Sequence, residues 1–263
     1  MRSRLQPASA LALAVLCLFA ARVVPAPSDD ARARREAMIH YEAGTQALST
    51  EHYEEAAQEF EQAVKLDPLL VLAHYGLGQA RMALKDYPAA VRAYVGCRKA
   101  FHDDVAIDLQ RDGLREQRLD EQIRATEDQL AILASGRPAS GFSRPLSSLN
   151  PVTLQQQLDT LRVQRKRGTA APQPTPPWIS VALGSAYFRQ GAFADAEREY
   201  KAAVDTDPSV GEAHNNLAVV YLLTKRPDDA DREIALAEKA GFKVRGGLKQ
   251  DVQRLRVSQA PAP

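Results

Sequence analysis

At 263 residues the chain has room for one large domain or two modest ones, at about 150 residues per domain, which excludes both a peptide hormone and a giant multidomain scaffold. With 25% charged and 45% hydrophobic residues it has the composition of a folded soluble protein, not of a disordered or multi-spanning one. Lys+Arg 34 against Asp+Glu 33 gives a net charge of +1, without the basic excess of a nucleic-acid binder, so any basic surface is local.

Residues 1–26 read as a secretory signal peptide or an N-terminal anchor. Arg2 and Arg4 precede an uncharged run of fourteen residues from Ala8 to Ala21, shorter than the roughly 20 apolar residues of a membrane span. Val24 and Ala26 satisfy the small-residue rule for cleavage after Ala26. Pro27 is a poor follower, and a site near Ala20 is the alternative. Cys17 follows Leu16, where the lipoprotein signal wants a small residue, so simple secretion is the better reading. Removal of the leader takes Arg2, Arg4 and Arg22 with it and moves the net charge from +1 to −2. Cys97 is then the sole cysteine, no internal disulfide can form, and stability must come from packing.

The next feature is a repeat. Gly44 and Gly78 lie 34 residues apart, as do Ala56 and Ala90, then Ala63 and Cys97. The same period links Gly184 to Ala218, Ala196 to Ala230 and Ala203 to Ala237. It defines four units: 37–70, 71–104, 177–210 and 211–244. Small residues at unit positions 8, 20 and 27 let paired antiparallel helices approach closely, and larger ones at 7, 11 and 24 fill the gaps between pairs. The third unit is the most complete, with Leu183, Gly184, Tyr187, Ala196, Tyr200, Ala203 and Pro208. The first supplies Gly44, Ala56, Phe60, Ala63 and Pro68, the second Leu77, Gly78, Ala90 and Tyr94, and the fourth Leu217, Tyr221, Ala230 and Ala237. In these residues the chain resembles the tetratricopeptide repeat family. Its departures are His40, His74, Ser180 and His214 in the tryptophan slot, Arg81 in place of Tyr, and His102 and Phe242 in place of the closing Pro, as if units two and four ended their arrays.

The expected fold is all-α: a helical-hairpin solenoid of two pairs of repeats, 31–104 and 177–244, separated by a helical insert. A capping helix over 245–257 follows from Leu248, Val252 and Leu255, with a disordered tail over 258–263. Residues 105–176 break the period. Leu119, Ile123, Thr126, Leu130 and Leu133 keep one helical rhythm and Leu154, Leu158 and Leu161 begin another, which predicts two helices folded on each other or along the solenoid. Ser135 to Pro151 and Gly168 to Pro177 read as loops. The one basic cluster, Arg162, Arg165, Lys166 and Arg167, fits a cationic last helical turn. It lacks the interleaved aromatics of a nucleic-acid site, and any contact it makes with anionic lipid is weak.

Little points to catalysis. His40, His74 and His214 share one repeat slot, which argues for a shared packing role. His52 lies in a turn, and His102, Asp103 and Asp104 read as a solvated helix end. No spaced metal-ligand pair or nucleophile fingerprint occurs, and Cys97 at position 27 reads as a buried thiol. No cofactor, metal or enzymatic activity is expected. Resemblance to the tetratricopeptide family implies an adaptor that binds a protein or peptide and scaffolds or assists the assembly of a complex. The leader implies export, to a periplasm or envelope or to the extracellular space, with anchoring by the N-terminal segment as the alternative. The alternatives are an oligomer built through the Leu-rich insert, or an enzyme or metal-handling protein with its site there. The family's concave positions 2, 5, 9 and 12 select Met38, Tyr41, Thr45 and Leu48, then Leu72, Tyr75, Gln79 and Met82. The later pair adds Trp178, Val181, Ser185 and Phe188, then Glu212, Asn215, Val219 and Leu222. None of these is Lys or Arg, which argues against a basic clamp on a terminal carboxylate.

Overall fold

The computed structural model describes residues 29–135, 150–166 and 173–259. The expected leader, most of the two expected loops, Arg167 and the end of the expected tail lie outside the described residues. Among those described there are ten helices and no strand. α1 (Asp29–Ser49) pairs with α2 (Tyr53–Leu66), and α3 (Val71–Ala83) with α4 (Tyr87–Ser135). After α5 (Pro151–Lys166), α6 (Pro177–Gln190) pairs with α7 (Phe193–Thr206), and α8 (Gly211–Leu223) with α9 (Pro227–Lys239); α10 (Gly246–Gln259) follows.

All four hairpins turn in the same way. Unit position 15 has a positive φ each time: Glu51 at 62°, Lys85 at 61°, Gly191 at 85° and Lys225 at 60°. The next residue's N–H then reaches back over five residues to a helix carbonyl, in His52 to Ala47, Asp86 to Arg81, Ala192 to Tyr187 and Arg226 to Tyr221. This left-handed cap satisfies carbonyls that the helix end leaves open. Only the third unit supplies the glycine that adopts it without strain.

Within a hairpin the helices meet through small residues. A Cβ on Gly184 would lie 2.7 Å from the Tyr200 ring, so the glycine is what lets α6 sit against α7. Gly78 stands in the same relation to Tyr94. Ala56, Ala63, Ala90, Ala196, Ala203, Ala230 and Ala237 are all fully buried, as the spacing of small residues requires.

Between units one and two, and between three and four, an Asp-Pro turn breaks the chain. Asp67 and Asp207 cap α2 and α7 with extended backbone, and their Oδ1 atoms accept the N–H of Leu69 and Ser209. The second unit has Phe101 and His102 there instead. Nothing removes an amide proton or fixes an extended φ, and α4 runs on for 49 residues, roughly 70 Å. His102 is therefore interior to a helix and not at its end. Its Nε2 lies 2.8 Å from Thr175 Oγ1, on the returning strand of chain.

The array does not end at unit two, contrary to the expectation from its missing Pro. α6 packs on α4, with Leu183 and Ala186 sharing a core with Ala90 and Tyr94. Unit three thus stacks where the next repeat belongs, and the insert is an excursion from a continuous solenoid. Its first helix is the far half of α4, against which α5 folds back through Leu154, Leu158 and Leu161, with Leu119 and Thr126 buried on the other side. Arg162 pairs with Glu127 at 2.8 Å, and Arg165 with Asp120 and Glu116 at 2.8 and 3.1 Å. Two members of the basic cluster are thus paired with carboxylates of α4 within the hairpin.

At the other end α10 lies against α8 and α9, with Val252 fully buried and Leu248 against the same core. The helix reaches Gln259, beyond the expected start of the tail.

Candidate functional site

The histidines resolve into structural pins. His214 Nδ1 lies 2.6 Å from Glu233 Oε2 and its Nε2 lies 3.1 Å from the Pro208 carbonyl, joining α8 to α9 and to the Asp-Pro turn. His74 Nε2 donates to the Pro68 carbonyl at 3.0 Å, and His40 Nδ1 meets Glu59 at 2.7 Å. His40 and His214 each reach a carboxylate nineteen residues on. His74 has Ala93 at that offset, and burial holds its imidazole below the ordinary 6.5. In the third unit the slot holds Ser180, and Glu199 at the same offset takes Arg98 of α4 instead. His52 is an exposed turn residue, 3.2 Å from Thr50 Oγ1. Arg81, in the family's Tyr position, pairs with Glu61 and Asp86.

Cys97 is fully buried against α3, its Sγ 3.4 Å from the Val71 carbonyl oxygen. Burial pushes its thiol up to about 12, far from the thiolate a nucleophile needs. No cluster of three or more His, Cys, Asp or Glu suited to a metal occurs among the described residues, and no helix among them is long and apolar enough to cross a membrane.

A concavity lies where α3 faces α6, the junction of units two and three, with a volume of about 500 Å³. It gathers Tyr75, Gln79 and Met82 from α3 with Trp178, Val181 and Ser185 from α6 and Glu212 from α8. The sequence register did not mark Tyr94, Pro177, Ala182, Asp207 and Val210, which complete it. Tyr94 sits at position 24, read as pure core; Asp207 and Val210 belong to the turn before α8, beyond the reach of counting along first helices.

The other concave-face residues stand elsewhere. Tyr41 packs on Phe60, centroids 6.0 Å apart, and Tyr41 and Leu48 cover the first core cluster. Met38, Thr45 and Leu72 are exposed on α1 and α3 away from the cavity. Phe188 and Leu222 lean on the second half's core, and Val181, although it borders the cavity, is itself buried in that core. Asn215 donates to its neighbour Asn216 at 3.3 Å, and Val219 is half-buried. The described helices of the insert do not fill the cavity; α5 lies along α4.

At the centre of the cavity Tyr75 bridges two rings. It meets Trp178 edge-on at 4.9 Å and Tyr94 at 5.6 Å with a 52° tilt. Trp178 remains 40% exposed, an apolar surface held open by its neighbours instead of being buried by them. Ser185 Oγ and the Tyr200 hydroxyl share a hydrogen bond at 3.1 Å beneath it.

Residues 41–96 and 181–240 match the model of the tetratricopeptide repeat. These two segments carry the tetratricopeptide repeat. No curated protein matches it. Among solved structures it is similar to a thermophilic tetratricopeptide protein of Thermus thermophilus, at 19% identity and a TM-score of 0.34, covering 84% of this chain and 99% of that one. It is similar also to PilW, a type IV pilus biogenesis factor, at 15% identity and a TM-score of 0.39, covering 85% of this chain and 87% of that one. A third is YrrB, a tetratricopeptide protein with an unusual peptide-binding site, at 14% identity and a TM-score of 0.29, covering 85% and 95%. The two matched segments flank the insert, and the cavity lies where the second tetratricopeptide unit meets the third.

Proposed function

We propose that this chain is an exported adaptor that holds a polypeptide segment in the cavity between α3 and α6 and so joins its partner to a larger assembly, with no reaction of its own. The observation that carries this reading is the half-exposed Trp178 ring fixed against Tyr75 in an open, aromatic-walled groove. Rigid aromatic surface of this kind offers large contact area at small entropic cost, and in a groove it suits an extended or helical peptide. Tetratricopeptide proteins bind peptide or protein partners, and YrrB is described by its peptide-binding site. Export follows from the basic and apolar pattern of residues 1–26.

A photo-cross-linking residue placed at Gln79, exposed within the groove, tests the binding reading in cells. Polypeptide adducts should form there and not from Lys99, exposed on α4 outside the cavity. Equal adducts from both positions, or none from Gln79, would sink it. For export, N-terminal sequencing should find a mature start between Ala21 and Ser28, and intact Arg2 in cytosolic material would contradict that.

A further inference from the structure

We propose that the cavity selects a cationic side chain, Arg before Lys, on the segment it holds, with Glu212 as the counter-charge. This deepens the polypeptide-binding reading above and rests on it. The walls carry two carboxylates, Asp207 and Glu212, and no Lys, Arg or His. The two acids are not equivalent. Asp207 Oδ1 already accepts the Ser209 backbone N–H at 2.9 Å and its hydroxyl at 2.7 Å. Glu212 is exposed and makes no hydrogen bond or ion pair among the described residues. Its charge nevertheless reaches into the cavity: after burial, it is the Glu212 carboxylate that helps raise the Tyr75 hydroxyl, and it acts in the same sense on Tyr200.

Three chemistries of ligand compete for such a place. A purely apolar side chain would fill the aromatic walls but strip water from Glu212 without replacing it, which is unfavourable. An acidic one would meet two carboxylates. A cation satisfies both surfaces, since ring faces attract a partly desolvated positive charge and the free carboxylate accepts its N–H groups. Guanidinium does this best, because its plane stacks on a ring while its edge presents a fork to a carboxylate. The same charge pattern disfavours a ligand's terminal carboxylate.

The test uses the full chain and its Glu212→Gln variant, with unchanged circular dichroism as the fold control. Each is used to select from a random heptapeptide display library. The full chain should enrich peptides in which Arg or Lys adjoins an apolar residue, and the variant should lose that enrichment. The best binder is then synthesised with Arg and with citrulline, its neutral isostere, and titrated against the fluorescence of Trp178, the sole tryptophan. Citrulline should weaken binding at least about tenfold on the full chain and leave it unchanged on the variant. Enrichment without cations, or equal binding of the two peptides, overturns charge selection and leaves the polypeptide reading standing. No enrichment on either protein overturns both. A Trp178 signal that changes on dilution alone assigns the cavity to a second copy. One that changes on deletion of residues 167–172 assigns it to the chain itself. Either result overturns the proposal.

Discussion

Arg98 Nη1 donates to both oxygens of the Glu199 carboxylate, at 3.1 and 2.9 Å, across 101 residues of sequence. The pair ties the second helix of unit two to the second helix of unit three, a contact proper to consecutive repeats. Glu199 keeps only 5% of its side-chain exposure, whereas Arg98 keeps 34%. Arg98→Ala therefore strands a charge with little access to water. Breaking a fully buried pair costs about 3–5 kcal/mol; the solvated arginine end brings the expectation to about 2 kcal/mol. Glu199→Gln removes the charge itself and should cost less. Urea melts of both variants check the order, and a more stable Arg98→Ala would contradict it.

The hairpins are legible in the sequence because their closest contacts fall on residues whose size cannot vary, such as Gly184 beneath Tyr200. The course of the chain after unit two is not. The absence of Pro at His102 has two physical outcomes, an array that stops or a helix that continues, and nothing local separates them. The decision rests on Leu183 and Ala186 docking onto Ala90 and Tyr94, long-range packing that a period of 34 residues does not encode. The cavity is half legible for the same reason. Tyr75 and Trp178 follow from the inner register of first helices, but their meeting depends on that docking.

Gly184→Leu should destabilise the second pair of units by about 1–3 kcal/mol, the usual cost of overpacking, because even a Cβ at 184 would overlap the Tyr200 ring. Gly184→Ala should fall between the two. Thermal melts followed by circular dichroism report it, and an unchanged melting temperature would mean that α6 can move away from α7 at no cost.

The shared left-handed turn makes a prediction of opposite sign at two equivalent positions. Gly191→Ala should destabilise by about 1–2 kcal/mol, the cost of a side chain in that conformation. Lys225→Gly removes the same strain at φ 60°, against about 0.5–1 kcal/mol of backbone entropy, and should be neutral or slightly stabilising. Denaturant midpoints of the two variants should move in opposite directions or leave Lys225→Gly unmoved; a loss at Lys225→Gly equal to that at Gly191→Ala would refute the shared-turn argument.

Burial is the larger cause of the low ionisation of His74, only partly opposed by its bond to the Pro68 carbonyl. The native ring thus takes up its proton at lower pH than the unfolded one. Its stabilising contribution is complete above the ordinary value of 6.5 and is lost as pH falls below it toward the native value. His74→Gln, which keeps an N–H donor for Pro68, should flatten the fall in urea midpoint between pH 7.5 and 5, a window above most carboxylate titration. Parallel slopes for variant and parent would show that other groups govern this range.

The strongest consequence of the continuous solenoid is that the insert can be removed without separating the halves. Unit one closes with Asp67-Pro68, and unit two differs at that place by Phe101-His102. Replacing these with Asp-Pro and deleting residues 105–176 would restore a 34-residue spacing between units two and three. The contacts that Ala90 and Tyr94 make with α6, and Arg98 with Glu199 of α7, come from the near part of α4, and with the contact of Tyr75 on Trp178 they survive the excision. The loss comprises the α4–α5 hairpin, its ion pairs to Arg162 and Arg165, and the bond from His102 to Thr175. The shortened protein should melt in one cooperative transition within a few degrees of the parent. Trp178 fluorescence should keep its response to the library-selected peptide, because Tyr75, Tyr94, Trp178 and Glu212 all lie outside the excised segment. Two separate transitions would mean that the insert, and not the α4–α6 contact, couples the halves; retained cooperativity with lost peptide response would move the binding element into residues 105–176.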